Sequence, residues 1–346
     1  MAEAEEGSRS RLRRRRQLGT AIGLGISAVL LWWAVRGLDL PGVMSVVRAA
    51  PTAPVVLCVL LATLTFPLRM LRWRTLLSGP GGTRLPVGPA WHAVAIGFMA
   101  NNILVLRAGE VIRGLVISRL AGIALPAAWA SIAIERVFDA MTLVALLVVA
   151  LAAGALPDGA TFAGMSAAQL AGVVATAGVA AFGVGAAVLI WPSGIARIID
   201  RLIPWPALAG RLVALVAGIR EGVGALRSPR RLAAAIGWSL VIWGVNAASF
   251  LVLFRAFGIE LGLAPALVMQ AAISFGVAVP SSPGFIGVFE AAIILSLGLY
   301  GVDRDTALAY ALTYHVTTFF PITLLGMLSV ARTPIGWGEV RQVRAR

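Results

Sequence analysis

Charged and polar side chains interrupt stretches otherwise built from Ala, Val, Leu and Ile, and their spacing limits the chemistry open to them. In Asn101-Asn102-Ile103-Leu104-Val105-Leu106-Arg107-Ala108-Gly109-Glu110-Val111-Ile112-Arg113, the residues Arg107, Glu110 and Arg113 recur at i, i+3 and i+6, roughly one face of a helix. Two guanidiniums on one face hold a phosphate while a carboxylate orients one of them. The same trio serves equally well as an ion-paired staple between helices. A second group, Glu135-Arg136-Val137-Phe138-Asp139, begins nine residues after Pro126. That is about 14 Å along a helix, near the middle of a hydrocarbon core about 30 Å thick. Charges at that depth cost about 2.5–3.5 kcal/mol each on insertion scales, so they must face protein or water. Read alone, the group holds one carboxylate more than Arg136 neutralises, a surplus that calls for Arg107, Arg113, a proton or a cationic headgroup.

The third constellation is Pro280-Ser281-Ser282-Pro283-Gly284-Phe285-Ile286-Gly287-Val288-Phe289-Glu290. Its prolines and glycines break a helix and permit close backbone approach, leaving N–H groups for an anion; the alternative is a structural turn in which Glu290 pairs with an arginine. His315, nine residues after Thr306 and again about 14 Å deep, suits either a proton-coupling role or an interhelical hydrogen bond. In Arg69-Met70-Leu71-Arg72-Trp73-Arg74, the cations Arg69, Arg72 and Arg74 with Trp73 fit a headgroup-level anchor, or attraction of anionic headgroups into a cytoplasmic mouth. No nucleophile elbow, kinase set or nucleotide-binding glycine fingerprint occurs, so a transporter-like role is expected ahead of an enzymatic one. With two His and one Cys, neither a metal site nor any other cofactor is expected.

The elements that carry these residues are membrane helices. Of 346 residues, 59% are hydrophobic and 13% charged, with a mean hydropathy of +0.91, against roughly 25% charged in a soluble domain. The 29 basic residues are all Arg, and the net charge is +14. They flank apolar stretches as the positive-inside rule requires, so nucleic acid is not the expected partner. Spanning helices are expected at about 18–35, 52–68, 126–153, 168–191, 232–254 and 306–330. The arginines of 69–84, 197–231 and the tail 332–346 place those segments and both termini in the cytoplasm of a bacterial cell, in its inner membrane.

Two apolar stretches, 89–120 and 264–299, are broken midway and read as re-entrant hairpins, a backbone that survives at depth only inside protein or beside a wet cavity. The expected fold is an all-α polytopic membrane protein of six spanning helices and two broken hairpins, arranged as an inverted repeat; eight full spanners are the alternative. The boundaries are a basic tail 1–17, a first repeat 18–155, a second repeat 156–331 containing amphipathic cytoplasmic helices in 194–229, and a basic tail 332–346. Glu110 precedes Glu135 by 25 residues and Glu290 precedes His315 by 25, a faint echo of the repeat.

LRMLRWRTLL, NNILVLRAGEVIR, ERVFD and PSSPGFIGVFE, in that order, resemble the motifs of the lysylphosphatidylglycerol synthase transmembrane regions, the flippase-like proteins that include the membrane half of the bacterial multiple peptide resistance factor. The resemblance covers about 18–330. It departs at Val105, where the family often has Pro, and at Phe285, where the family has a second glycine. It implies translocation of a phospholipid or lipid-linked headgroup between leaflets. Asn101, Asn102, Arg107, Glu110, Arg113, Glu135, Arg136, Asp139, Glu290, Arg72, Arg74 and His315 are the candidate substrate-binding residues, and Gly109, Pro280, Pro283, Gly284 and Gly287 form the hairpin turns. It also implies a separate lipid-modifying synthase as a candidate partner. Membrane-embedded transfer to a lipid carrier, or a noncatalytic anchor for such a synthase, are the other functional expectations; the oligomeric state is left open.

Overall fold

The computed structural model describes residues 25–157 apart from 38, 80–81 and 105–107, residues 228–335 apart from 279–280, and between them 165–166, 191–206 and a scatter of positions in 169–213. Among the described residues the structure is helical. The helices are α1 (Gly25–Val35), α2 (Leu40–Ala49), α3 (Thr52–Leu76), α4 (Val87–Ile103), α5 (Gly109–Ala121) and α6 (Leu125–Ala152). They continue as α7 (Pro192–Leu202), α8 (Pro229–Ala256), α9 (Leu263–Gly276), α10 (Val288–Gly298) and α11 (Arg304–Ala331), with a 3₁₀ turn at Pro283–Phe285 before α10. No sheet forms among these residues. Prolines open α2, α6, α7 and α8, where a missing N–H costs nothing.

Three helices, α3, α8 and α11, are long and apolar enough to cross a membrane. The chain is an all-α polytopic membrane protein. α6 has the same 28-residue length as α8 and α11 but carries Glu135, Arg136 and Asp139 within it. The expected span 52–68 extends to Leu76. Pro67 lies inside α3 rather than ending it, and the arginine-rich segment continues the helix. Most of the expected span 168–191 lies outside the described residues, as do 207, 211 and 214–227 of the segment 194–229 and 18–24 of the first span; the start of 194–229 is helical in α7. Both broken stretches do break: α4 and α5 are separated at 104–108, α9 and α10 at 277–287. At 17, 13, 14 and 11 residues these arms are about 26, 20, 21 and 17 Å long, all under a core about 30 Å thick.

α3 lies along α8; α4 packs on α5 and on α11; α9 packs on α10 and on α6; α5 sits on α6 and α10 on α11. One apolar cluster joins Met70, Trp73, Ile96, Met99, Ile112 and Ile117 around the first broken stretch. Another joins Phe250, Phe254, Met269, Ile293, Tyr310 and Tyr314 around the second. Leu60, Val149 and Phe320 point outward and are more than half exposed, an arrangement that costs nothing where the solvent is lipid.

Candidate functional site

The first broken stretch is held shut by its own backbone. The Asn101 carboxamide oxygen accepts the Gly109 N–H at 2.9 Å, capping α5 from the end of α4. Gly109 and Gly97 touch so closely that a Cβ on Gly109 would lie 1.9 Å from the Gly97 carbonyl, so no larger residue fits without parting the two arms. Asn102 reaches the other half of the chain, donating to Thr323 Oγ1 at 2.9 Å and to the Phe319 carbonyl at 3.2 Å on α11.

This packing lays Arg113 of α5 against α6, where α3 brings Arg69 and Arg72. Glu135 is the hub. Its Oε1 accepts from Arg113 Nη1 at 3.1 Å and Arg136 Nη2 at 3.0 Å. Arg72 Nη2 lies 3.1 Å from the same oxygen and Arg113 Nη2 lies 2.9 Å from Oε2. Asp139 accepts from Arg72 Nη1 at 2.7 Å and from the Trp243 indole at 3.3 Å. It is also paired with Arg136 at 3.2 Å and Arg69 at 3.5 Å. Arg72 Nη1 donates to Ser239 as well. The Arg113 guanidinium lies 3.8 Å from the centre of the Trp73 ring, and Arg69 stands over Phe98 and Trp243.

Arg72 and Glu135 are wholly buried, and Arg113 and Asp139 almost so. Arg136 and Glu110, 3.7 Å apart, form the open edge, each with a side chain 34% exposed. The spare carboxylate expected of the Glu135–Arg136–Asp139 group meets Arg113, one of the partners the sequence offered, and two arginines of α3 as well. Among the described residues, Arg69, Arg72, Arg113 and Arg136 face Glu110, Glu135 and Asp139, four positive charges against three negative. The surplus comes from α3, whose arginines had been assigned to a headgroup anchor. Trp73 is no interfacial residue: it is fully buried and donates to Ser131. Arg69, Ser239 and Trp243 were missed as site residues; the available signal was that Arg69 stands one helical turn from Arg72 and shares its face. Arg74 is turned away, donating to the Leu85 carbonyl. Arg107 lies outside the described residues.

The second broken stretch builds a different site. Glu290 pairs not with an arginine, as one reading expected, but with His315: Nδ1 and Oε1 are 2.5 Å apart, and Nε2 meets the Gly284 carbonyl at 2.8 Å. Glu290 Oε2 accepts the Gly287 N–H at 2.6 Å, reaching back over the start of α10. The turn runs through Gly284 at φ +69°, Phe285 at +63° and Gly287 at +89°. Phe285 stands where the family resemblance places glycine, and it holds the left-handed backbone that glycine adopts freely. Pro283 opens the 3₁₀ turn, which packs against α4; Pro280 lies outside the described residues. The ends of the two broken stretches therefore meet.

Buried arginine–carboxylate pairs with one edge open, beside paired helix breaks in a helical membrane protein, are consistent with a membrane module that handles charge or a headgroup. The chain matches the family described as the lysylphosphatidylglycerol synthase TM region over residues 20–326, and it belongs to that family. The family is the transmembrane region, distinct from the catalytic synthase domain, which agrees with a transporter-like role. The glycosyltransferase AglD of Haloferax volcanii is 31% identical over 328 residues, a match covering 87% of this chain and 52% of that protein. The chain thus spans about half the length of this curated relative.

Proposed function

We propose that this protein moves a phospholipid or lipid-linked headgroup between the leaflets of a cell membrane. The observation that carries the reading is the excess of arginines over carboxylates among the described residues of the cluster, together with its partly exposed Arg136. A phosphate entering at that edge gains charge-assisted bonds and neutralises the surplus. Glu110 orients Arg136, while Arg72 and Arg113, locked onto Glu135 and Asp139, hold the field in place. Asn101 and Asn102 keep the two breaks together. The acyl tails stay in lipid against the outward apolar faces.

In this reading the helices form two repeats, 18–155 and 156–331, of opposite orientation, with six spans, re-entrant hairpins at 89–120 and 264–299, and both termini in the cytoplasm. The packing supports it, because exchanging the halves maps neighbours onto neighbours. The α4–α11 pair becomes α9–α6, α5–α6 becomes α10–α11, α4–α5 becomes α9–α10, and α3–α8 maps onto itself. A separate lipid-modifying synthase is the natural supplier of such a lipid, given the family's name.

The test is leaflet exchange in liposomes carrying asymmetrically labelled anionic and aminoacylated lipids, with wild type against Arg136→Gln. Exchange that falls with the arginine supports the reading; no exchange of any lipid overturns it. The similarity to a protein named a glycosyltransferase favours a second reading, transfer onto a lipid carrier. Product formed by the pure protein from a labelled activated donor would promote that reading over the first.

A further inference from the structure

Within the repeat, Glu110 and Glu290 occupy matching places near the start of the second hairpin arms, but their surroundings differ. Glu110 faces an arginine. Glu290 faces an imidazole on α11, and the hydrogen bonds of that imidazole specify how many protons the site holds.

The Gly284 carbonyl can only accept, so the Nε2 facing it at 2.8 Å carries a hydrogen. The contact between Nδ1 and Glu290 Oε1 at 2.5 Å needs one more proton, whether drawn as imidazolium and carboxylate or as imidazole and carboxylic acid. Oε2 is already engaged by the Gly287 N–H. Removing the shared proton leaves two acceptors facing each other. If the remaining proton moves to Nδ1, the Nε2 lone pair faces the Gly284 carbonyl instead. Either way, one of the two contacts joining α11 to α10 and the turn must break.

Other elements against this part of α11 spend their groups on its neighbours. Cys58 of α3 faces Thr317, Asn246 and Ser249 of α8 reach the Tyr314 hydroxyl, and Asn102 of α4 reaches Thr323. The rings of Phe289 and Phe319 flank the imidazole. Glu290 is thus its ionic partner among the described residues.

We infer that Glu290 and His315 form a proton-binding site, and that a proton taken up and released there is coupled to headgroup movement by closing and opening the second broken turn. This deepens the translocase reading and rests on it. The turn is suited to move. Phe285 holds it in a left-handed conformation that L residues disfavour. Gly284 lies against Phe319 and the Asn102 carbonyl, where the first hairpin ends, so a shift of the turn reaches both halves. On release the shared proton passes to water, and no covalent bond other than its own N–H or O–H is broken.

Two measurements test this. The sequence has two histidines, so ¹⁵N-histidine spectra of the whole purified protein resolve His315 once a His92 variant identifies the other. The inference expects one exchangeable proton in the His315–Glu290 pair, read as a second protonated His315 ring nitrogen or, with ¹³C-glutamate, as a protonated carboxyl whose signal is missing in Glu290→Gln. A His315 with one protonated nitrogen beside a Glu290 carboxylate that stays ionised at every pH overturns it, and both signals are read on the wild-type protein. In liposomes with a lumenal pH dye, labelled-lipid exchange should be accompanied by proton movement and respond several-fold to an imposed pH gradient, with the response absent in His315→Gln. Exchange without proton movement overturns the coupling and leaves the translocase reading standing. Absence of any exchange overturns both, while the spectra still decide whether the proton site exists.

Discussion

Replacing Arg72 with methionine separates the structural part of the charge cluster from the part proposed to meet substrate. The guanidinium is fully buried and serves Asp139 at 2.7 Å, Ser239 at 2.9 Å and Glu135 at 3.1 Å. Removing one member of a buried ionic network costs about 3–5 kcal/mol, because the partners stay behind undersatisfied. Here Glu135 keeps Arg113 and Arg136, and Asp139 keeps Arg136 and Arg69, which puts the expected loss near the lower end, about 3 kcal/mol. For a chain of this size that is about 4 °C of thermal stability. Arg136→Gln, by contrast, touches a side chain that is 34% exposed, where an ion pair is worth about 1 kcal/mol or less. Thermal unfolding in detergent, followed by intrinsic tryptophan fluorescence, to which Trp73 and Trp243 beside the cluster contribute, reads both variants. An Arg72→Met protein as stable as wild type, or an Arg136→Gln protein as damaged as Arg72→Met, would refute this division of labour. A double-mutant cycle between Arg72 and Asp139 should also show a coupling of about 1–3 kcal/mol.

The second turn predicts that Phe285→Gly is more stable than Phe285→Ala by about 1 kcal/mol, since both delete the ring and only glycine relieves the positive φ; equal melting temperatures would contradict it. Gly109→Ala drives a methyl into the Gly97 carbonyl and should cost about 3 kcal/mol, visible as loss of the monodisperse species on heating. At the N-terminal end of α11, Asp303 accepts from the Thr306 N–H at 2.8 Å, and that bond holds its carboxyl below the ordinary value. Asp303→Ala should therefore cost about 1 kcal/mol at neutral pH. The deficit should vanish in acid, because the cap's contribution is present above the unfolded pKa of about 3.9 and is lost as pH falls through the depressed folded value. A deficit that persists at low pH would show that the lost stability is not the carboxylate's.

Helix content and both breaks were legible because apolar length and interrupting Pro, Gly and charge act locally. Even the end of α6 differs by a single residue from its expected limit. α3 was cut short because Pro67 and the arginines after it resemble a stop. In a packed bundle the helix continues past a proline whose freed carbonyl finds another partner, and buried carboxylates draw the arginines inward. The contribution of α3 to the cluster is not legible for the same reason. Glu135, Arg136 and Asp139 are neighbours in sequence, but Arg69 and Arg72 reach them only through the packing of α3 on α8 and α6. The 25-residue spacing from Glu290 to His315 gave a register with no chemistry attached. It became a contact once the turn folded α10 back on α11.

The most direct test of the central claim is to ask where a lipid headgroup sits. A phospholipid bearing a photoactivatable group on its phosphate-linked headgroup, incorporated with the purified protein and mapped by mass spectrometry, should label the edge formed by Glu110 and Arg136, and the labelling should fall in Arg136→Gln. Labelling that is confined to outward apolar positions such as Val149, or that is indifferent to Arg136, would contradict the account and leave the cluster as a structural ion network.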